Sequence, residues 1–176
     1  INRVRGLLSE FGIVMLLKAS VVRALHRLDE RVAQYDKHLA AQARSDVRAR
    51  SLMQLNGIGE TTSTALIASV GNAHEFKCGR QFAAWLGLTP GQYSSGGKTR
   101  LGHITKAGDG YLRSLFVLGA RSVLNAAKGR TDALSGWALA LQERRGYWRA
   151  VVAIAAKNAR MAWAMLARGE GFVMPA

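Results

Sequence analysis

The stretch Ser51–Asn72 reads SLMQLNGIGETTSTALIASVGN, and its reading decides the fold. Leu52, Met53 and Leu55 are spaced as the buried end of one helix. Beyond Gly57-Ile58-Gly59, residues Ala65, Leu66, Ile67 and Val70 resume helical spacing. A hydrophobic helix end, a Gly-X-Gly turn and a second helix describe a helix-hairpin-helix over residues 52–70. Gly57 and Gly59 are both expected to hold backbone conformations closed to residues carrying a Cβ. With that bulk gone, amide N–H groups at the start of the second helix can approach a phosphate. Glu60, Thr61 and Thr62 are its cap candidates. Such a contact positions a nucleic-acid backbone and does not read its bases. The plainer alternative is an αα-hairpin closed by a glycine cap.

Outward from this hairpin, the chain keeps reading as helix, and the predicted class is all-α (mainly α) with one short β-ribbon. Residues 1–17 read as a helix interrupted at Gly12. Val21, Leu25, Leu28, Val32, Tyr35 and Leu39 form a heptad seam with charged residues between them. Three heptads are short for a coiled coil, so the seam either packs on the domain or pairs with another chain. The expected organisation is an exit helix and coiled-coil-like linker over 1–50, then a main domain over 51–176. Residues 74–88 read as a short helix carrying Phe76, Phe82, Trp85 and Leu86, ended by Pro90. Gln92–Ser95 and Arg100–Thr105 are expected to pair across Gly96-Gly97. Asp109 is the N-cap candidate for a helix in which Gly119 and Ala120 let a neighbour approach closely. Residues 133–169 read as two Ala-rich helices broken near Gly146. Trp137, Trp148, Trp163, Met161 and Met165 are assigned to the core, with Arg144, Arg145, Arg149, Lys157 and Arg160 facing outward.

Charge narrows the partners. Lys and Arg total 25 against 11 acidic residues, a net charge of +14, which favours a polyanion through release of its counterions. Solubility alone is the bland alternative. No 18-residue apolar run with basic flanks appears, so no membrane partner is expected. Cys78 is the single cysteine, which excludes an internal disulfide and fits a cytoplasmic location. The four histidines lack metal-ligand spacing and the carboxylates are scattered, so no cofactor is expected within this chain. The GGKT at 96–99 lacks the first glycine of a phosphate-binding P-loop. A chain that begins at Ile1 reads as a piece of a longer protein.

One polar stretch stands apart: QYSSGGKTRLGHITK, Gln92–Lys106. A serine attacking a phosphodiester needs positive charge around the phosphate. Ser94 and Ser95 have Lys98, Arg100, His103, Lys106 and Arg113 close in sequence. On residue chemistry alone, a serine beside glycines is ordinarily a turn residue.

The longer string GLTPGQYSSGGKTRLGHITKAGDGYLR, 87–113, resembles the hallmark of the insertion-sequence transposases of the IS-one-ten type, the bridge-RNA-guided recombinases. The shared positions are Gly87, Leu88, Pro90, Ser95, Gly96, Gly102, Ile104, Thr105, Lys106, Gly108, Leu112 and Arg113. The hairpin before it is similar to the one that opens that family's C-terminal transposase domain. The resemblance implies that Ser95 is a nucleophile forming a covalent phosphoserine link to DNA. It implies that Gly57, Gly59, Lys98, Arg100, Lys106 and Arg113 bind nucleic acid. It also implies a guide (bridge) RNA, a homo-oligomer through the coiled-coil segment, and a bacterial cytoplasmic setting. Mg²⁺ is expected on carboxylates of a RuvC-like DEDD domain outside these residues. The linker is shorter than the family pattern between Ser20 and Val21. Two other readings compete: a non-catalytic helix-hairpin-helix module for structured DNA or RNA, and a helical assembly module working through the seam.

Overall fold

The computed structural model describes residues 2–93, 97, 98 and 100–169, with side chains described at Met15 and from Lys18 onward. Among these residues the architecture is mainly helical, with one two-stranded sheet. Cα packing separates two units, Ile1–Ala41 and Gln42–Ala176.

The first unit lies in helix α1, Asn2–Ser45, which is continuous. Gly12 does not interrupt it. Glycine weakens a helix interior by about 1 kcal/mol but does not forbid helical dihedrals, and the long flanking segments carry the helix through. Val21, Leu25, Leu28, Val32 and Tyr35 are 54–59% exposed and Leu39 is half-buried, so most of the seam is open to solvent within the single chain.

The second unit starts with α2, Val47–Leu52, whose first turn is capped by Asp46 accepting from the Arg48 amide. After the Gly57 turn comes α3, Glu60–Val70. The next helix begins later than its sequence suggests. Asn72 accepts from the His74 amide and sets a 3₁₀ turn over Ala73–Glu75, so α4 spans only Gly79–Trp85. Pro90 does not end it. The amides of Gly87 (φ +70°) and Leu88 donate to the carbonyls of Ala84 and Ala83, a left-handed glycine stop in place before the proline. The ribbon is likewise shifted: β1 is Pro90–Gln92 and β2 is Leu101–Ile104, antiparallel, with Pro90 opposite Ile104 and Gln92 opposite Leu101.

Helix α5, Gly110–Ala126, is capped by Asp109, which accepts from the amides of Tyr111 (2.8 Å) and Leu112 (3.1 Å). Helices α6, Ala133–Arg145, and α7, Tyr147–Arg168, break at Gly146 (φ +83°) as the sequence implies. The core is built on α5 against α7, with α4 and α6 also packed on α7. Phe82, Phe116, Leu112, Leu124, Val151 and Ile154 are fully enclosed. By length and composition α7 is apolar enough to cross a membrane. Here Ala150, Val151, Ile154, Ala155 and Ala159 of that helix are buried against the other helices, as in a soluble core. Two polar tethers fix its register. Asn158 donates to the Asn56 carbonyl (2.9 Å) and the Trp163 indole donates to the Ala73 carbonyl (3.0 Å).

Candidate nucleic-acid interface

The stem of the polar loop is held backbone to backbone. A Cβ on Gly87 would meet the Ala107 amide at 2.6 Å, and one on Gly108 (φ +73°) would overlap the Trp85 carbonyl. Only glycine lets the end of α4 and the strand leaving the ribbon pass so closely. Between these glycines, the Lys106 amide donates to the Gly87 carbonyl (3.2 Å) and the Thr105 amide to the Thr89 carbonyl (2.9 Å). Lys106 takes a left-handed conformation (φ +55°) that carries its side chain into solvent. Farther out, the Tyr93 amide donates to the Arg100 carbonyl (2.8 Å), and the Tyr93 ring lies over Gly102, where a Cβ would come within 2.8 Å of Cε2.

Arg113 does something the sequence did not reveal. One terminal guanidinium nitrogen donates to three carbonyls, those of Leu86 (3.3 Å), Lys106 (3.1 Å) and Ala107 (3.1 Å). The first cation of α5 therefore ties the helix end to the loop stem, across 27 residues of chain to Leu86. No local pattern announces a contact of that separation. Lys98, Arg100 and Lys106 are exposed around the stem. Ser94, Ser95, Gly96 and Thr99 lie outside the described residues.

In the helix-hairpin-helix the two glycines separate in role. Gly57 has φ +87°, and a Cβ there would lie 2.6 Å from the Gly119 carbonyl oxygen and 2.8 Å from Val123 Cγ2. Conversely, a Cβ on Gly119 would overlap the Gly57 carbonyl, so the close approach expected of Gly119 is made by this turn. Gly59 contradicts the backbone argument: its φ is −101°, open to any residue, and a Cβ there would meet nothing within 4 Å. It faces solvent at the start of α3. Glu60 in that first turn pairs with Arg44 at 3.5 Å.

Two of the three tryptophans assigned to the core are not there. Trp148 is 63% exposed and Trp137 36% exposed, while Trp163 is half-buried. Trp148 shares helical phase with buried Val151 and Ala155, which is why its spacing reads as core. It sits in the first turn of α7, however, and its neighbour there is the Arg121 guanidinium at 5.8 Å. Lys157 covers Trp137 at 4.6 Å. Among the described residues no three of His, Cys, Asp and Glu converge as a metal site.

The family model for the transposases described as IS116/IS110/IS902 matches residues 49–135, spanning the hairpin, the ribbon and the capped α5. The chain belongs to this transposase family. It is 40% identical to a probable family 20 transposase of Pseudomonas aeruginosa, over 95% of the chain and 58% of that protein. It is 38% identical to the transposase for insertion sequence element IS1111A of Coxiella burnetii, over 98% of the chain and 55% of that protein. A transposase for insertion sequence element IS1328 of Yersinia enterocolitica is 30% identical over 97% of the chain. The chain thus spans little more than half the length of these transposases. The first two alignments extend over 195 and 199 positions, more than the 176 residues present, so these transposases carry internal residues that the chain lacks.

Proposed function

We propose that this chain is the C-terminal, serine-bearing half of a DNA transposase, with Ser95 as the nucleophile. The observation that carries the reading is the stem. Gly87, Gly108, Lys106 and Arg113 lock its backbone, and the loop it bears is flanked by exposed Lys98, Arg100 and Lys106. A rigid base and a cationic rim are what a nucleophile needs to meet a phosphodiester in a defined orientation. Ser95 Oγ attacks phosphorus and forms a phosphoserine ester. The bond to one deoxyribose oxygen breaks, and that oxygen leaves with a proton. Lys98, Arg100 and Lys106 offset the charge on the phosphate. Arg113 acts by positioning the loop through its carbonyl contacts. Gly57 serves by letting the hairpin turn seat on α5, and Gly59 leaves the start of α3 open to a DNA backbone. The family resemblance supports Mg²⁺ on carboxylates outside this chain, and no step above runs through it. It also supports a guide RNA, and the exposed Val21–Tyr35 seam supports pairing with a second copy. The 176 residues alone bind DNA and do not recombine it.

Covalent trapping in a transposase carrying this sequence tests the nucleophile. Ser95→Ala abolishes the protein–DNA adduct and Ser94→Ala retains it; an adduct surviving in Ser95→Ala sinks the assignment. The competing non-catalytic module predicts full activity for Ser95→Ala.

A further inference from the structure

Helix α5 and helix α7 contain no Asp or Glu. On α5, Tyr111 (59% exposed) and Leu118 (53% exposed) share one outward face with Arg121. Arg121 leads across to Trp148, whose indole is edge-on to Tyr147 with ring centroids 5.3 Å apart and still mostly in solvent. Arg149 is exposed beside it, and Arg144 and Arg145 precede it across Gly146. The acidic residue nearest to Trp148 in sequence is Glu143, at the end of α6, while Asp109, the cap of α5, precedes Tyr111 by two residues. The strip starts near the polar loop, since Tyr111 follows Asp109, the cap of α5, and Arg113 ties the same helix end to the loop stem. Along α5, Tyr111 to Arg121 covers about 15 Å, the length of a few stacked nucleotides.

Large aromatics held open to water among cations, with no anions on either helix, match one kind of occupant. We infer that this strip, Tyr111–Leu118–Arg121–Trp148, is a stacking platform for single-stranded DNA leaving the loop. Bases stack on the Trp148 and Tyr111 rings, while Arg121 and Arg149 neutralise the flanking phosphates. A duplex hides its base faces and gains only the charge. The inference rests on the transposase reading, yet its test reads binding alone and does not need the serine's chemistry.

The test uses the 176-residue chain and fluorescein-labelled 15-mers of oligo-dT, duplex DNA and oligo-rU, with polyglutamate as competitor. Trp148→Ala weakens oligo-dT binding by about fivefold or more and duplex binding by less than about twofold. Its salt dependence stays unchanged, because no charge is lost. Trp148→Phe keeps a ring and recovers most of the affinity. Thermal denaturation of each variant guards against a folding defect, which an exposed residue is not expected to produce. The inference is overturned if Trp148→Ala binds oligo-dT as wild type does, or loses duplex and oligo-dT equally. It is also overturned if the strip takes oligo-rU in preference to oligo-dT, or polyglutamate in preference to both.

Discussion

Replacing Gly119 by Ala separates two arguments that predict opposite signs. Gly119 lies inside α5, and helix propensity alone says that Ala stabilises such a position by about 1 kcal/mol. The structure says otherwise, because the new methyl would overlap the Gly57 carbonyl. That oxygen belongs to a backbone already bent to φ +87°, and Ile58 after it and Leu55 two residues before it are buried, so it has little freedom to retreat. Overpacking costs about 1–3 kcal/mol, and a backbone obstacle places this site near the top of that range. Subtracting the propensity gain leaves a net loss of about 2 kcal/mol, or roughly 6–8 °C in Tm for a domain of this size. Gly136→Ala in α6 is the matched control, since a Cβ there meets nothing within 4 Å. It gains about 1 kcal/mol from propensity alone. Urea and thermal unfolding followed by far-ultraviolet circular dichroism read both variants. If Gly119→Ala stabilises the chain as Gly136→Ala does, the hairpin turn does not sit on α5 and the packing described here is wrong.

Arg113→Met removes three carbonyl contacts at once and lowers stability by about 1–3 kcal/mol, and Arg113→Lys recovers only part of it in the same melts. Asp109→Ala costs about 1 kcal/mol through the lost cap, while Asp109→Asn keeps most of it. Hydrogen bonding to Arg48 lowers the pKa of Asp46, and hydrogen bonding to Ser135 lowers that of Asp132. Both contributions are present above the usual carboxylate range and vanish as pH falls through the lowered values, so Asp46→Asn and Asp132→Asn flatten the acid limb of a stability–pH curve. Lys106→Asn removes the charge while keeping a residue that tolerates φ +55°, and it reduces the log–log salt slope of DNA binding by about 1 without shifting Tm. An unchanged slope would falsify its phosphate contact.

Local chemistry was legible wherever a residue's partner lies within a few positions. Asp109 and Gly146 punctuate helices through neighbours that the sequence displays side by side, and the small residues at Gly119 and Ala120 announced a close approach without naming its partner. What the sequence misjudged depended on competing local signals or on position in the unit. Gly87 stopped α4 ahead of Pro90 because an amide–carbonyl closure acts earlier than a steric block. Gly59 read as obligatory beside Gly57, but only the latter backs onto another helix. Trp148 carried a core phase and still ended at the rim.

By itself, the sequence determined the helical class, the Asp109 cap, the basic balance and the spacing of the loop from Gly87 to Arg113, because periodicity and turn chemistry are local properties. The cap expected of Glu60, Thr61 or Thr62 is not made, since Gly59 stands at the N-cap of α3 without a side-chain bond. Tertiary structure decided that Gly57 meets Gly119, that Arg113 faces three carbonyls, and that Trp148 faces water. Those outcomes depend on which surfaces are brought together across tens of residues, and a linear pattern holds no record of distance in space.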